Sequence, residues 1–189
     1  MKLIIIDNFD SFTYNLFHYL EPMVDHLEVE RSDKVNVESL KNFDKIVYSP
    51  GPGIPSEYKI MFDVLERYDK QKAILGICLG HQAIIEYYGG KLTNLKNPLH
   101  GLTIPVNKTA NKDPMFDGIS NVFDTGRYHS WAGQLKNLPK TLIPTVIDEN
   151  QMVMALKHKN YNIRGMQFHP ESVMTPKGKK MLSNWIIHC

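Results

Sequence analysis

The 189-residue sequence predicts an α/β fold, in which helices flank a central, mostly parallel sheet that has a smaller antiparallel portion. In the first half, short apolar runs alternate with stretches whose apolar residues recur at helical spacing, which is typical of parallel sheets covered on both faces. In the second half, strand-like runs follow one another with turns between them. No linker-like stretch divides the chain, so we expect residues 1–189 to form a single domain.

The first half supplies the alternating elements. Residues 3–6 are apolar and mostly β-branched, as in a buried strand, and a helix follows with apolar residues at positions 12, 16, 19, 20 and 23. Asp10 or Ser11 is placed to cap that helix. The remaining predicted strands cover 26–31, 45–49 and 73–78, and the remaining predicted helices cover 37–43, 60–68 and 81–88, the last ending at Gly89 and Gly90.

The second half is richer in strands. A turn is predicted at Asn160-Tyr161-Asn162, where two strand-like runs meet, and residues 176–188 close the chain as a helix. The predicted strands cover 102–106, 122–125, 142–147, 152–157 and 163–168.

Composition excludes several classes of function. No apolar run approaches the roughly 20 residues that a membrane-spanning helix needs, and the first residues do not resemble a signal peptide. The 22 basic and 20 acidic residues form no long run of either sign, which argues against a nucleic-acid partner. The two cysteines, Cys78 and Cys189, are too few for a disulfide scaffold and indicate a reducing, cytoplasmic setting.

The segment 73–82 is the most informative. An apolar strand runs directly into a predicted helix, and Gly76 and Gly80 lie two residues before and after Cys78. This is the layout of a nucleophile elbow, whose turn is too sharp for flanking side chains. The elbow would place Cys78 at the carboxyl end of the sheet and at a helix N-terminus, which favours a thiolate. The backbone N–H of Leu79 could then stabilise an oxyanion.

Two other interpretations of Cys78 stay open at this point. A buried, unreactive cysteine at the end of a core strand is common. A metal site built from Cys78 and His81 is a weaker alternative, because no second cysteine or paired histidine accompanies them.

A thiol nucleophile needs a base, and the base needs a group that orients it. Of the eight histidines, His169 follows an apolar strand and precedes Pro170, which favours an extended backbone. Side chains two positions apart then point to the same side, so Glu171 could reach the imidazole. A surface turn with an incidental ion pair is the competing interpretation.

A rigid loop follows the third predicted strand. Residues 50–55 contain three prolines and two glycines, and they lack the Gly-Lys-Ser/Thr ending of a phosphate-binding loop. Such a loop could present a second oxyanion amide, for which Gly53 is the best candidate, or it could be only a tight turn.

Taken together, these segments resemble the class I (triad) glutamine amidotransferases over essentially the whole chain. The resemblance is closer to the glutaminase subunits of anthranilate synthase and aminodeoxychorismate synthase. It rests on the opening segment 7–15 (DNFDSFTYN), the proline-glycine loop, the cysteine elbow and the His-Pro-Glu-Ser segment at 169–172. It implies a flavodoxin-like sheet.

The resemblance also implies a role for each matching position. Cys78 would be the nucleophile, and His169 and Glu171 would complete the triad. The oxyanion would be held by the backbone amides of Gly53 and Leu79. The implied glutamine-binding residues are Gly51, Pro52, Gly53, Gln82, Ser130 and Trp131.

Two positions depart from the family pattern. Trp131 follows Ser130 where leucine is more usual, which a backbone contact would tolerate. Leu102 follows His100-Gly101 where lysine is common, so the contact that this lysine makes is in doubt.

The partner that the resemblance implies is a chorismate-using synthase subunit, which would receive the ammonia released from L-glutamine. The resemblance implies no metal or organic cofactor for this chain, since magnesium would belong to the partner. Anthranilate synthase is the favoured partner, and aminodeoxychorismate synthase, or both, is the alternative. More distant alternatives are a γ-glutamyl hydrolase that acts alone and a binding module without catalysis.

Overall fold

The structure, a computed structural model, describes residues 1–95 and 101–189. The helices are α1 (Thr13–Leu20), α2 (Lys59–Tyr68), α3 (Leu79–Tyr87) and α4 (Gly178–His188). The strands are β1 (Lys2–Asp7), β2 (His26–Arg31), β3 (Lys45–Tyr48), β4 (Ala73–Ile77), β5 (Leu92–Asn94), β6 (Leu102–Lys108), β7 (Val122–Arg127), β8 (Trp131–Gly133), β9 (Leu142–Ile147), β10 (Val153–His158) and β11 (Ile163–Met166).

A nine-stranded sheet in the order β2-β1-β3-β4-β11-β10-β9-β6-β7 organises the described residues. The first five strands in that order are mutually parallel, and β11, β10, β9, β6 and β7 pair antiparallel in turn. The parallel portion has the strand order of flavodoxin-like sheets, with β11 as its fifth strand. The predicted fold class is therefore confirmed.

The sheet has a core layer on each face, which explains why β1 is wholly apolar. Leu3 and Ile5 contribute to the layer that contains residues of α1 and α4, and Ile4 and Ile6 contribute to the layer that contains residues of α2 and α3. Successive side chains of a strand point to opposite faces, so a strand between two layers needs apolar residues at every position.

The start of α1 differs from the prediction. Phe12, rather than Asp10 or Ser11, is the N-cap residue, and no side chain caps the helix. The Asp10 carboxylate instead accepts the N–H of Phe12 at 2.8 Å, within the turn that precedes the helix. The helix ends at Leu20 and continues as a short 3-10 turn over Glu21–Met23.

Other differences are local. Residues Val37–Asn42 form a 3-10 helix rather than an α-helix. Strands β5 and β8 pair antiparallel in a separate two-stranded sheet that the sequence did not predict. Each has three residues, which is too short to show a periodic pattern.

Candidate active site

The turn between β4 and α3 has the geometry of a nucleophile elbow. Cys78 has φ +50° and ψ −98°, a conformation that residues with side chains rarely adopt and that clusters at functional sites. A Cβ on Gly76 would lie 2.4 Å from the backbone of Gly80, and a Cβ on Gly80 would lie 2.5 Å from the Cβ of Tyr48. Both flanking positions therefore require glycine.

Cys78 directly follows β4 and is the N-cap residue of α3. Its backbone N–H donates to the carbonyl of Met166 at 2.8 Å, which extends the parallel pairing of β4 and β11 to the elbow. The residue is 7% exposed. Leu79, the first residue of α3, packs its side chain in the core, so only its backbone N–H is suited to a role in the site.

His169 and Glu171 form a buried pair three and five residues beyond the end of β11. The imidazole Nδ1 lies 2.6 Å from Oε1 of Glu171. A carboxylate can only accept, so Nδ1 carries a hydrogen and Nε2 is the atom left to exchange a proton with a substrate or a thiol. The predicted contact between the two side chains is present.

The environment of His169 couples it to Cys78. Burial would lower the pKa of His169, but the negative charges and hydrogen-bonding groups of Cys78 and Glu171 outweigh burial and raise that pKa well above its ordinary value. Within the described part of the chain, Nε2 of His169 has no aligned hydrogen-bond partner. Catalytic hydrogen bonds are often poorly aligned before substrate binds.

The opening segment 7–15 supports both sides of the site. The Phe12 ring meets the His169 ring edge-on at 5.9 Å, and the Tyr128 ring does so at 4.9 Å, so the imidazole packs against two aromatic rings. Asn8 holds the proline-glycine loop, because its backbone N–H and its Nδ2 donate to Oγ and O of Ser49 at 2.8 and 2.9 Å.

The proline-glycine loop requires its glycines. Gly53 has φ +73°, and a Cβ there would lie 1.8 Å from Oε2 of Glu57. That oxygen accepts the N–H of Ile54 at 3.0 Å, which fixes the loop beside Gly53. A Cβ on Gly51 would lie 2.6 Å from the carbonyl oxygen of Asn8.

A cavity of about 420 Å³ opens in front of Cys78. Its volume suits a small molecule. All six predicted glutamine-binding residues and the nucleophile candidate line it, whereas the nearly buried His169 and Glu171 do not. Its lining residues are Gly51, Pro52, Gly53, Ile54, Glu57, Cys78, Gln82, Tyr128, His129, Ser130 and Trp131.

Two polar residues that the sequence did not single out support the site: His129 lines the cavity, and Gln167 is buried outside its lining. Gln82 Nε2 donates to the Trp131 carbonyl at 2.7 Å and to Gln167 Oε1 at 3.3 Å. Gln167 Nε2 donates in turn to Sγ of Cys78 at 3.6 Å. His129 Nδ1 lies 2.9 Å from the same Trp131 carbonyl, and burial, assisted by the positive charge of Arg127, lowers the pKa of His129 to about 3.

A metal site at Cys78 and His81 does not fit the observed contacts. His81 Nε2 lies 3.0 Å from the carbonyl of Val153, and burial lowers the pKa of His81 to about 4. No cluster of three or more His, Cys, Asp and Glu residues that could hold a metal occurs within 1–95 and 101–189.

The two departures from the family pattern lie at different places. The Trp131 carbonyl accepts a hydrogen bond from Gln82 in the pocket wall, and this contact does not depend on which side chain position 131 carries. Leu102 is exposed at the start of β6. His100 lies outside the described residues.

In the described ranges, no helix has the length and apolar content to span a membrane.

Comparisons with known proteins show the family of the chain. The family profile "Glutamine amidotransferase class-I" matches residues 4–189. The chain is 41% identical to a candidate anthranilate synthase component II of Haemophilus influenzae, covering 98% of this chain and 96% of that protein. It is 37% identical to aminodeoxychorismate synthase component 2 of Escherichia coli K12, covering 97% and 98%.

A solved structure shows the same fold. A candidate GMP synthase component from Thermoplasma acidophilum superposes with a TM-score of 0.88 at 23% identity, covering 98% of this chain and 92% of that one. With the profile match over nearly its whole length, the chain belongs to the class-I glutamine amidotransferase family.

Proposed function

We propose that this protein is the glutaminase subunit of a chorismate-using synthase and that residues 1–189 act as one domain. The observation that carries the proposal is the position of Cys78. It sits on a strained elbow at the edge of a small-molecule cavity, and it is coupled electrostatically to a histidine that a buried glutamate orients.

In the proposed reaction, Cys78 Sγ attacks the side-chain amide carbon of L-glutamine. His169 donates a proton to the amide nitrogen as the carbon–nitrogen bond breaks, which releases ammonia and leaves a γ-glutamyl thioester. His169 then takes a proton from water as the water attacks the thioester, and the products are glutamate and the thiolate. Glu171 holds the imidazole and stabilises its protonated form.

The remaining site residues would stabilise the oxyanion and bind the glutamine substrate. The backbone amides of Gly53 and Leu79 would hold the oxyanion that forms in both steps. Removal of one such donor typically costs about 2.7–4 kcal/mol of transition-state stabilisation. Glutamine would be bound by the pocket wall, to which Gly51, Pro52, Gly53, Gln82, Ser130 and Trp131 contribute.

The relatives support two partners. Component II proteins of anthranilate synthase and component 2 proteins of aminodeoxychorismate synthase match the chain over almost its full length. We favour anthranilate synthase, and tryptophan synthesis with it, because the more similar of the two relatives carries that name. Aminodeoxychorismate synthase, or service to both, is the second candidate. A cytoplasmic location stays a prediction.

Reconstitution tests the proposal. The chain is mixed with the chorismate-using subunit of each synthase, and product formation is measured with glutamine and, separately, with ammonium salt as nitrogen source. We expect glutamine-dependent synthesis with at least one partner. Cys78→Ser should abolish it and leave ammonia-dependent synthesis intact. If neither partner gains glutamine use, while the chain alone hydrolyses γ-glutamyl peptides, a hydrolase that acts alone is the better assignment.

A further inference from the structure

Gln167 is a wholly buried carboxamide between the reactive sulfur and the pocket wall. Its backbone N–H donates to the Met154 carbonyl at 2.9 Å, which fixes the main chain, and its side chain bridges Gln82 and Cys78. A buried polar side chain between apolar neighbours is costly unless its hydrogen bonds are made, so these two contacts define what the residue does.

The Trp131 carbonyl determines the direction of each hydrogen bond in the series that runs through Gln82 and Gln167 to Cys78. A carbonyl oxygen can only accept, so the Gln82 atom 2.7 Å from it must be Nε2. The same Nε2 faces Gln167 at 3.3 Å, and a second N–H can be received only by an oxygen. Gln167 Oε1 therefore faces Gln82, and Gln167 Nε2 is left to face Sγ of Cys78.

The opposite orientation of the Gln167 amide is unfavourable at both ends. It would set the amide N–H groups of Gln167 against those of Gln82, and it would place Oε1 against the sulfur. The sulfur therefore accepts a hydrogen bond from Nε2 of Gln167, and a thiolate is a better acceptor than a thiol.

We propose that Gln167 is a positioning residue that holds Cys78 as a thiolate through Nε2 and fixes Gln82 through Oε1. The inference rests on the proposed function. Both N–H groups of Gln82 are used within the wall, which leaves Oε1 of Gln82 as its remaining hydrogen-bonding atom for a substrate amino or amide group. One buried amide therefore links nucleophile activation to substrate binding.

The two roles are separable by mutation. Gln167→Met keeps the length of the side chain and removes both hydrogen bonds. Gln82→Met removes the substrate-facing amide and leaves the bond from Gln167 to the sulfur. Both are made in a Cys189→Ala chain, so that Cys78 is the single thiol.

The first measurement is the rate of alkylation of Cys78 by iodoacetamide as a function of pH, on the chain alone. In Gln167→Met we expect the midpoint of this profile to rise by about one pH unit, because a hydrogen bond to a charged group is lost. In Gln82→Met the midpoint should stay where it is in the parent chain.

The second measurement is glutamine-dependent synthesis in the reconstituted complex. Both single variants should raise KM for glutamine by about tenfold, and Gln167→Met should additionally lower kcat near neutral pH. In the double variant the KM effects should not add, since the two residues act through one contact.

An alkylation profile of folded Gln167→Met that coincides with that of the parent chain would overturn the inference. If that variant does not fold, as judged by circular dichroism, Gln167→Asn replaces it, because the shorter amide keeps a polar group but cannot reach both partners. The alkylation measurement needs no synthase. Failure of the proposed function would therefore appear in reconstitution alone, and failure of this inference in the alkylation profile.

Discussion

The imidazole Nδ1 of His169 lies 2.6 Å from Oε1 of Glu171, and the two residues are 3% and 2% exposed. The contact orients Nε2 towards proton exchange, and the carboxylate charge helps to raise the pKa of His169. Glu171→Gln keeps an acceptor but removes the charge. We expect kcat for glutamine-dependent synthesis to fall by about 10²–10⁴-fold, by analogy with other triads, with a smaller change in KM.

The matched control is Glu149→Gln, which neutralises an exposed glutamate outside the cavity lining and should leave kcat unchanged. An unchanged kcat in Glu171→Gln would mean that the buried carboxylate has no part in the reaction.

The crowding around Gly76 predicts a large effect of a single methyl group. Gly76→Ala places a Cβ 2.4 Å from the Gly80 backbone, so the elbow must move. We expect a loss of about 1–3 kcal/mol in the free energy of unfolding and a loss of glutamine-dependent activity greater than the loss of folded protein. Urea unfolding and reconstituted activity measure the two effects.

Gly89→Asn is the control for that substitution, since no atom lies within 4 Å of a Cβ there and Asn tolerates the positive φ at the end of α3. It should cost less than about 1 kcal/mol, which reflects the positive φ alone. Equal losses in the two variants would argue against steric crowding as the cause.

Buried His81 predicts a loss of stability in acid. Burial lowers the pKa of His81 to about 4, so the folded protein binds this proton less well than the unfolded chain, whose histidine titrates near 6.5. The contribution of His81 to stability is therefore complete above pH 6.5 and falls as the pH drops towards 4, by about 3 kcal/mol, in addition to a similar loss from buried His129, whose pKa is lowered to about 3. The free energy of unfolding, measured by urea at both pH values, should show this slope.

His81→Asn should be less stable at neutral pH, because the contact of Nε2 with the Val153 carbonyl is altered, but it should lose less stability between pH 6.5 and 4. His18→Asn, which replaces an exposed histidine, should keep the parent slope. If the free energy of unfolding of His81→Asn falls between pH 6.5 and 4 as steeply as that of the parent protein, another group carries the acid sensitivity.

A buried ion pair anchors the end of β7. The guanidinium of Arg127 contacts Oδ2 of Asp148, and Oδ1 of Asp148 accepts the backbone N–H groups of Asn150 and Met152, each at 2.9 Å. Asp148→Asn leaves the Arg127 charge buried without a counterion, so we expect a loss of about 3–5 kcal/mol in the free energy of unfolding.

The partly exposed surface pair Lys59–Asp63 provides the comparison, since its Asp63→Asn variant should cost less than about 0.5 kcal/mol. Similar costs at the two sites, measured by urea unfolding, would contradict the role given to burial.

The sequence was sufficient for features that depend on local pattern. The parallel sheet with helices on both faces followed from apolar runs that alternate with helical spacing, and the elbow followed from the spacing of Gly76, Cys78 and Gly80. The contact of His169 with Glu171 followed from the two-residue period of an extended chain. Each signal lies within about ten residues of sequence, where steric and periodic rules apply directly.

Several contacts between distant segments were not predicted. The packing of Phe12 on His169 joins the opening segment to the end of the sheet. The relay from Trp131 through Gln82 and Gln167 to Cys78 joins three segments that only the fold brings together. A glutamine within an otherwise apolar strand end was the available signal for Gln167, since buried polar residues require partners.

The most direct test of the account is to capture the covalent intermediate. The chain, in complex with a synthase subunit that supports glutamine use, is mixed rapidly with L-glutamine, quenched in acid, digested and analysed by mass spectrometry. We predict a γ-glutamyl adduct on the peptide that contains Cys78, absent in Cys78→Ser. Continued glutamine hydrolysis by the Cys78→Ser chain, or an adduct confined to Cys189, would contradict it.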